Sequence, residues 1–298
     1  MPKVKISICQ FGLRDTKSYD EMADHLRKQC KKALETGPDL LMFPEFTTFG
    51  LLAMAGQNLK YADLGSAMRE YISPFTPIYE KVFSEEARNS GSFIAGGSHW
   101  IQEEPGGPGY NTAHLFHPDG HIDRQKKNHL FPGETDWGTA SFDGLAVYDL
   151  GWSKIGLMTC YDSEFPEVGR HFMLSGAQVL LCPSATYTER GFYRIRRCCA
   201  ARAVENQLFV VEGHQAGSLS IPVDRPFTAF GRSAILCPID EQTGVNNGIL
   251  IEAPAGDSEM ILSGEVDTDV LARSRDASEA TILKDRRPST YREHYTLF

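Results

Sequence analysis

The chain has 298 residues, 41% hydrophobic and 23% charged, ordinary globular values that permit a sizeable core. Its formal net charge of −9 and pI near 5.5 argue against a nucleic-acid groove or a surface for anionic lipid. Seven cysteines are too few for a disulfide scaffold, no CxxC pair or Cys/His spacing suits zinc, and no apolar stretch approaches a membrane span. Met1-Pro2-Lys3 leads straight into a strand pattern without a signal segment, so the expected setting is the reducing cytoplasm.

Val4 to Ile8 alternates apolar and polar residues and predicts a strand. Met22, Leu26, Cys30 and Leu34 set a helical period over 18–36, closed by Gly37-Pro38. Leu40 to Phe43 is a short apolar run, expected as a strand buried on both faces. A helix over 76–89 and a strand from Phe93 to His99 follow. Asn111–Phe116 and His121–Gln125 flank Pro118-Asp119-Gly120 and predict a hairpin. Leu145–Asp149 and Lys154–Met158 form another strand pair around Gly151. Then come a helix over 165–175, a strand at Val179–Cys182, a helix over 190–205, and strands at Leu208–Gly213, Ser233–Pro238, Ile249–Glu252 and Met260–Val266. Hairpins mixed with helical crossovers fit neither a barrel of eight βα units nor two separable halves. The length allows one domain or two, but no repeat or linker divides the chain. One domain over 1–298 is expected, with its core over 4–266 and a tail over 267–298; 101–110 reads as a surface loop.

Three residues stand where chemistry is expected. Cys160 ends the apolar run that begins at Lys154, and a thiol at a strand tip before a helix meets backbone N–H groups able to stabilise a thiolate or an oxyanion. Glu45 ends the run Leu40-Leu41-Met42-Phe43-Pro44, and Lys127 stands at the close of the hairpin. Taken singly, each has an ordinary explanation: core thiol, turn carboxylate, solvated amine. Together they form a set for acyl transfer. Glu45 takes the thiol proton; Lys127 favours the thiolate and then, with the N–H of Tyr161, the tetrahedral oxyanion. Tyr187, Phe192 and Phe49 are expected as pocket walls by their positions after strand tips. His129, two residues beyond Lys127, is expected on the same side, bracing the site. Arg190, Arg194 and Arg197 form a helical stripe that fits a substrate carboxylate, although a solvated face is the commoner reason for such a stripe. Adjacent Cys198 and Cys199 suit core packing.

Phe43-Pro44-Glu45, then Lys127-Asn128-His129-Leu130-Phe131 with Gly133-Glu134, then Cys160-Tyr161-Asp162 with Phe165-Pro166-Glu167, resemble the three signature blocks of the nitrilase superfamily of carbon–nitrogen hydrolases. The resemblance implies an α/β (α+β) fold, a single-domain four-layer αββα sandwich, and a Glu-Lys-Cys triad of Glu45, Lys127 and Cys160. It implies a second glutamate that orients substrate and lysine, matched by Glu134, with Asp136 near enough to compete for the role. Dimers or higher homo-oligomers are also implied, with no metal and no organic cofactor. Tyr161-Asp162 after the cysteine is similar to amidase-type members, whereas nitrile hydrolysers tend to have Trp-Glu there. The expected reaction is therefore cleavage of a small amide to a carboxylic acid and ammonia through a thioester. Nitrile hydrolysis, N-carbamoyl hydrolysis and a catalytically silent binding subunit are the alternatives. A papain-like enzyme would need a histidine base and a different context around Cys160.

Overall fold

The computed structural model describes residues 3–56, 59–221, 226–256 and 258–295. The chain opens with β1 (Val4–Leu13), α1 (Tyr19–Leu34) and β2 (Leu40–Met42). From Phe49 to Phe75 it winds through short 3₁₀ and π turns around the four-residue α2 (Leu64–Ala67), before α3 (Thr76–Ser90). Next come β3 (Phe93–Gln102), β4 (Gly109–Phe116), β5 (Ile122–Lys126), the short α4 (Pro132–Asp136), β6 (Val147–Asp149) and β7 (Lys154–Leu157). A 3₁₀ turn (Cys160–Glu164) precedes α5 (Pro166–Leu174), β8 (Val179–Ser184), α6 (Glu189–Asn206) and β9 (Phe209–Gly217). The chain continues with β10 (Ala234–Leu236), β11 (Ile249–Glu252), β12 (Met260–Val266), α7 (Thr268–Ala277) and α8 (Pro288–Tyr295).

The expected strands and helices are present, with β1, β3 and β9 running longer than the alternation predicts. One expectation needs correction: Cys160 does not lead directly into a helix, since a 3₁₀ turn intervenes.

The strands form two halves, β5-β4-β3-β2-β1-β12 and β6-β7-β8-β9-β10-β11, joined by a parallel β1–β9 pairing from Phe11↔Gln215 to Leu13↔Gly217. Period-2 alternation assigns the faces. Ile6 and Ile8 of β1, Leu40 and Met42 of β2, Val179 and Leu181 of β8, and Phe209 and Val211 of β9 share one core between the halves. The alternate positions point outward. Phe11 and Leu41 pack into a core with Leu26 of α1 and Phe83 of α3. Leu180 and Val210 pack with Phe172 of α5 and Cys199 of α6. Three apolar interlayers between four layers are the αββα sandwich. Each fully buried Leu or Phe contributes about 1.5–3 kcal/mol. Caps fix where helices start: Ser18 accepts from Glu21 N at 3.1 Å for α1, and Thr188 from Gly191 N at 3.0 Å for α6.

One close approach links the fold to the candidate site. β3 is irregular between Ala95 and Ser98, and Gly97 there has φ +74. A Cβ at Gly97 would lie 1.8 Å from the Pro44 carbonyl oxygen. Only glycine lets the strand end carrying Pro44 and Glu45 sit this close. Gly97→Ala should therefore cost at least about 2 kcal/mol, read as a lower urea midpoint; an unchanged midpoint would show that the two backbones separate freely.

Candidate active site

Glu45 follows β2, Lys127 follows β5, Glu134 stands in α4 and Cys160 opens the 3₁₀ turn after β7. All four side chains line one cavity of about 640 Å³, although each is nearly removed from solvent, at 1%, 2%, 2% and 7% exposure. Lys127 Nζ donates to Glu45 Oε1 at 2.8 Å and to Glu134 Oε2 at 2.5 Å. Asn111 of β4 bridges the same two carboxylates, its Nδ2 donating to Glu45 Oε1 and Glu134 Oε1 at 2.8 Å each. The Ala185 N–H beyond β8 donates to Glu45 Oε2 at 2.9 Å and also reaches the Cys160 sulfur. Glu134 accepts from the Phe131 N–H at 2.9 Å across the first turn of α4. Asp136, on the same short helix, is exposed and lies outside the cavity. The position near Lys127 is held by Glu134.

Backbone strain marks both strand tips. Among the described residues only Phe46 (φ 51), Cys160 (φ 46) and Gln207 (φ 45) are non-glycine residues at positive φ. Two of the three flank or form this site, where such strain commonly concentrates. The turn after Cys160 is tied to the Lys127 segment. Asp162 Oδ1 accepts from the His129 N–H at 2.8 Å and lies 2.9 Å from His129 Nδ1. The His129 ring also stacks on Phe165 at 3.7 Å.

Tyr161 and Tyr187 line the cavity, and Tyr187 donates to Gln215 Oε1 at 3.3 Å. Three of the expected contacts lie elsewhere. His129 is turned to Asp162 and Phe165, outside the lining. Phe49 is buried one layer behind, stacked on Phe46 at 4.0 Å, because positive φ at Phe46 brings Phe46 itself to the wall. Phe192 packs against His214 and Phe230. Arg190, Gly191, Arg194 and Ile195 form the cavity face of α6, and the turn of about 100° per residue carries Phe192 off that face. Of the arginine stripe, Arg190 and Arg194 reach the mouth, Arg194 pairs with Glu164 at 2.6 Å, and Arg197 lies over Tyr193. The remaining walls are largely aromatic: Tyr61, Phe131, Trp137 and Phe227, which the sequence patterns did not single out.

The sequence model of the carbon–nitrogen hydrolase family matches residues 5–272. The chain belongs to the carbon–nitrogen hydrolase family. It is 32% identical over 293 residues to "Probable hydrolase YhcX" of Bacillus subtilis, covering 98% of this chain and 55% of that one. It thus spans about half the length of that relative. With omega-amidase NIT2-A of Xenopus laevis it shares 29% identity over 303 residues, covering 98% of each. Among solved structures, the Saccharomyces cerevisiae nitrilase-superfamily member Nit3 superposes with a TM-score of 0.75 at 22% identity, covering 95% of this chain and 97% of that one. A carbon–nitrogen hydrolase from Helicobacter pylori G27 gives 0.78 at 22%, covering 98% and 97%. At these identities the structural likeness speaks for the fold.

Electrostatics set the resting state of this hydrolase. Burial pushes the Cys160 thiol well above its usual range; Glu45 adds to the rise, and Lys127 with the Ala185 N–H offsets only part. Burial alone would lower Lys127, but Glu134 and then Glu45 outweigh it and hold the ammonium well above the ordinary lysine range. Burial raises Glu134, with Lys127 opposing and Glu45 reinforcing the rise. The free enzyme therefore carries a neutral thiol beside an ammonium clamped by carboxylates. Thiolate absorbance near 240 nm, taken as wild type minus Cys160→Ser, should show no titration step below about pH 9. A step near neutrality would contradict this resting state. Asn111→Leu removes both bridging hydrogen bonds and should lower kcat/KM about 10–100-fold; wild-type kinetics would mean that Lys127 with the Ala185 and Phe131 N–H groups holds the carboxylates without it.

Proposed function

We propose that this hydrolase cleaves a small linear amide to a carboxylic acid and ammonia through a thioester on Cys160. The observation that carries this reading is the single cavity lined by a thiol, a carboxylate and a carboxylate-clamped ammonium. Cys160 Sγ attacks the amide carbon as its proton passes to Glu45 and the carbonyl pair moves onto oxygen. The Lys127 ammonium stabilises that oxyanion, together with the N–H of Tyr161 at the start of the 3₁₀ turn, where the first N–H groups lack intrahelical acceptors. Glu45 returns the proton to the amide nitrogen, the C–N bond breaks, and ammonia leaves. Glu45 then takes a proton from water, whose oxygen attacks the thioester; collapse releases the acid and the thiol recovers its proton. Glu134 and Asn111 act by positioning Lys127 and Glu45.

Amides are favoured over nitriles by Tyr161-Asp162 after the nucleophile and by the omega-amidase relative. Seven free cysteines suit a reducing, cytoplasmic setting. We expect a homodimer or higher homo-oligomer, as for the family the sequence blocks resemble. Among the described residues no helix is long and apolar enough to cross a membrane.

The test is rapid-quench mass spectrometry with primary amides, nitriles and N-carbamoyl compounds, following ammonia in parallel. The expected result is an acyl adduct on Cys160 with amides only, and a loss of more than about 10⁴-fold in kcat for Cys160→Ala. Glu45→Gln should lose turnover on a similar scale. Turnover surviving in Cys160→Ala would overturn the proposal. If no compound turns over and none leaves an acyl adduct on Cys160, the chain is a silent binding subunit.

A further inference from the structure

We propose that the β4–β5 hairpin carries a second, separate site: a divalent transition-metal site formed by His117, His121 and Asp123, with Zn²⁺ as the ion that it suits. The register places these residues together. Leu115 pairs with Asp123 and Phe116 with Ile122, and His117 N donates to the His121 carbonyl at 3.0 Å, so the next pair along is His117 with His121. Residues two apart on a strand share a face, and so do directly paired residues. Both imidazoles and the carboxylate therefore stand on one side of the hairpin end.

The turn between them is fixed by its own chemistry. Gly120 adopts φ +95, its N–H donates to the His117 carbonyl at 3.0 Å, and Asp119 Oδ1 accepts from the His121 N–H at 2.9 Å. The His117 ring is held edge-on to Phe93 at 5.1 Å. Ligand geometry is thus built into the backbone before any ion arrives.

Distances fit insertion of an ion. His117 Nε2 lies 2.7 Å from Asp123 Oδ2, and His121 Nε2 lies 2.9 Å from Asp123 Oδ1. One ligand atom from each residue falls within 4.8 Å of the others. A tetrahedral Zn²⁺ with bonds of about 2.0–2.2 Å holds its ligands about 3.3 Å apart, so each imidazole–carboxylate contact need open by only a fraction of an ångström and the remaining separation, within 4.8 Å, need close by no more than about 1.5 Å. Each neutral imidazole binds through Nε2 by carrying its proton on Nδ1, and Asp123 supplies one negative charge. Three protein ligands leave a fourth position for water. The His121 side chain is 61% exposed and gives the ion a path, while His117 at 14% and Asp123 at 23% hold the inner side.

No metal was expected anywhere in the chain from the sequence, and a metal held on this hairpin would overturn that expectation. β5 ends the strand order of its half, and an ion at its start would pin it to β4. None of the three residues lines the catalytic cavity, so this inference does not depend on the proposed amide chemistry.

The test is isothermal titration of the reduced, metal-free full chain with Zn²⁺ alone, followed by Co²⁺ absorption spectra. The expected result is one Zn²⁺ per chain with Kd of about 1 µM or below and a tetrahedral Co²⁺ d–d band without thiolate charge transfer. His117→Ala/His121→Ala should weaken binding more than about tenfold and erase the band, with amide turnover unchanged. Asp123→Asn, which keeps the side-chain shape, should weaken binding in the same direction even where the double variant unfolds. Equal Zn²⁺ uptake by wild type and Asp123→Asn, a thiolate signature, or only millimolar binding, the mark of an adventitious ion only, would each overturn the proposal.

Discussion

A lysine ammonium removed from water is the constraint around which this site is organised. An isolated buried charge costs several kcal/mol even after relaxation, and one partner removed from a buried pair leaves the other uncompensated. Lys127 meets the cost with two carboxylates, which creates a second problem, since two buried carboxylates repel and each oxygen needs a donor. The hydrogen bonds close that account. Glu45 Oε1 accepts from Lys127 and Asn111, and Glu45 Oε2 from the Ala185 N–H. Glu134 Oε1 accepts from Asn111, and Glu134 Oε2 from Lys127 and the Phe131 N–H. Satisfying one ammonium thus fixes the ends of β2, β5 and β8, the middle of β4 and the start of α4.

The sandwich meets this demand because its parallel strands deliver their carboxyl ends to one side, where ligands gather in open α/β sheets. β2 and β8 belong to different halves, yet the β1–β9 pairing binds the halves together and brings Glu45 to the Ala185 N–H. Precision comes from local strain. Phe46 and Cys160 both turn out of their strands at positive φ, and Gly97 lets the β2 exit approach β3 more closely than any side chain would allow.

Much of this was legible in the sequence because apolar alternation and helical periodicity report burial on layered faces. The alternation of Val4, Ile6 and Ile8 in β1 matches the central interlayer, and the continuous apolar run of β2 matches a strand buried on both faces. Glu45, Lys127 and Cys160 were legible as strand ends, and Glu134 as part of the lysine block. Contacts set by three-dimensional turns were not. Asn111 reads as an ordinary strand residue until β4 is seen to pass beneath both glutamates. Tyr61 and Phe227 reach the cavity from segments with no periodic pattern, and Trp137 follows a five-residue helix too short to announce itself. Phe49 and Phe192 failed as wall residues, and His129 braces the turn after Cys160 without touching the cavity, for a common reason: nearness in sequence to a strand tip says nothing about the direction of the side chain. That direction depends on φ at the preceding residue, on helical phase, or on a partner such as Asp162.

The protonation state of the sulfur follows from the same cluster. A thiolate at Cys160 would add a further negative charge beside Glu45, and burial together with that carboxylate outweighs the pull of Lys127. Moving the proton from sulfur to Glu45 instead relocates one negative charge without creating another, which a low-dielectric cavity tolerates far better. On the proposed chemistry, that transfer becomes favourable when a carbonyl carbon lies against the sulfur, because the charge then flows on to an oxyanion facing Lys127. The same arrangement limits side reactions. Oxidation follows thiolate character and exposure, and a neutral thiol at 7% exposure offers little of either. On that chemistry, reactivity in this cavity is coupled to substrate occupancy through charge balance.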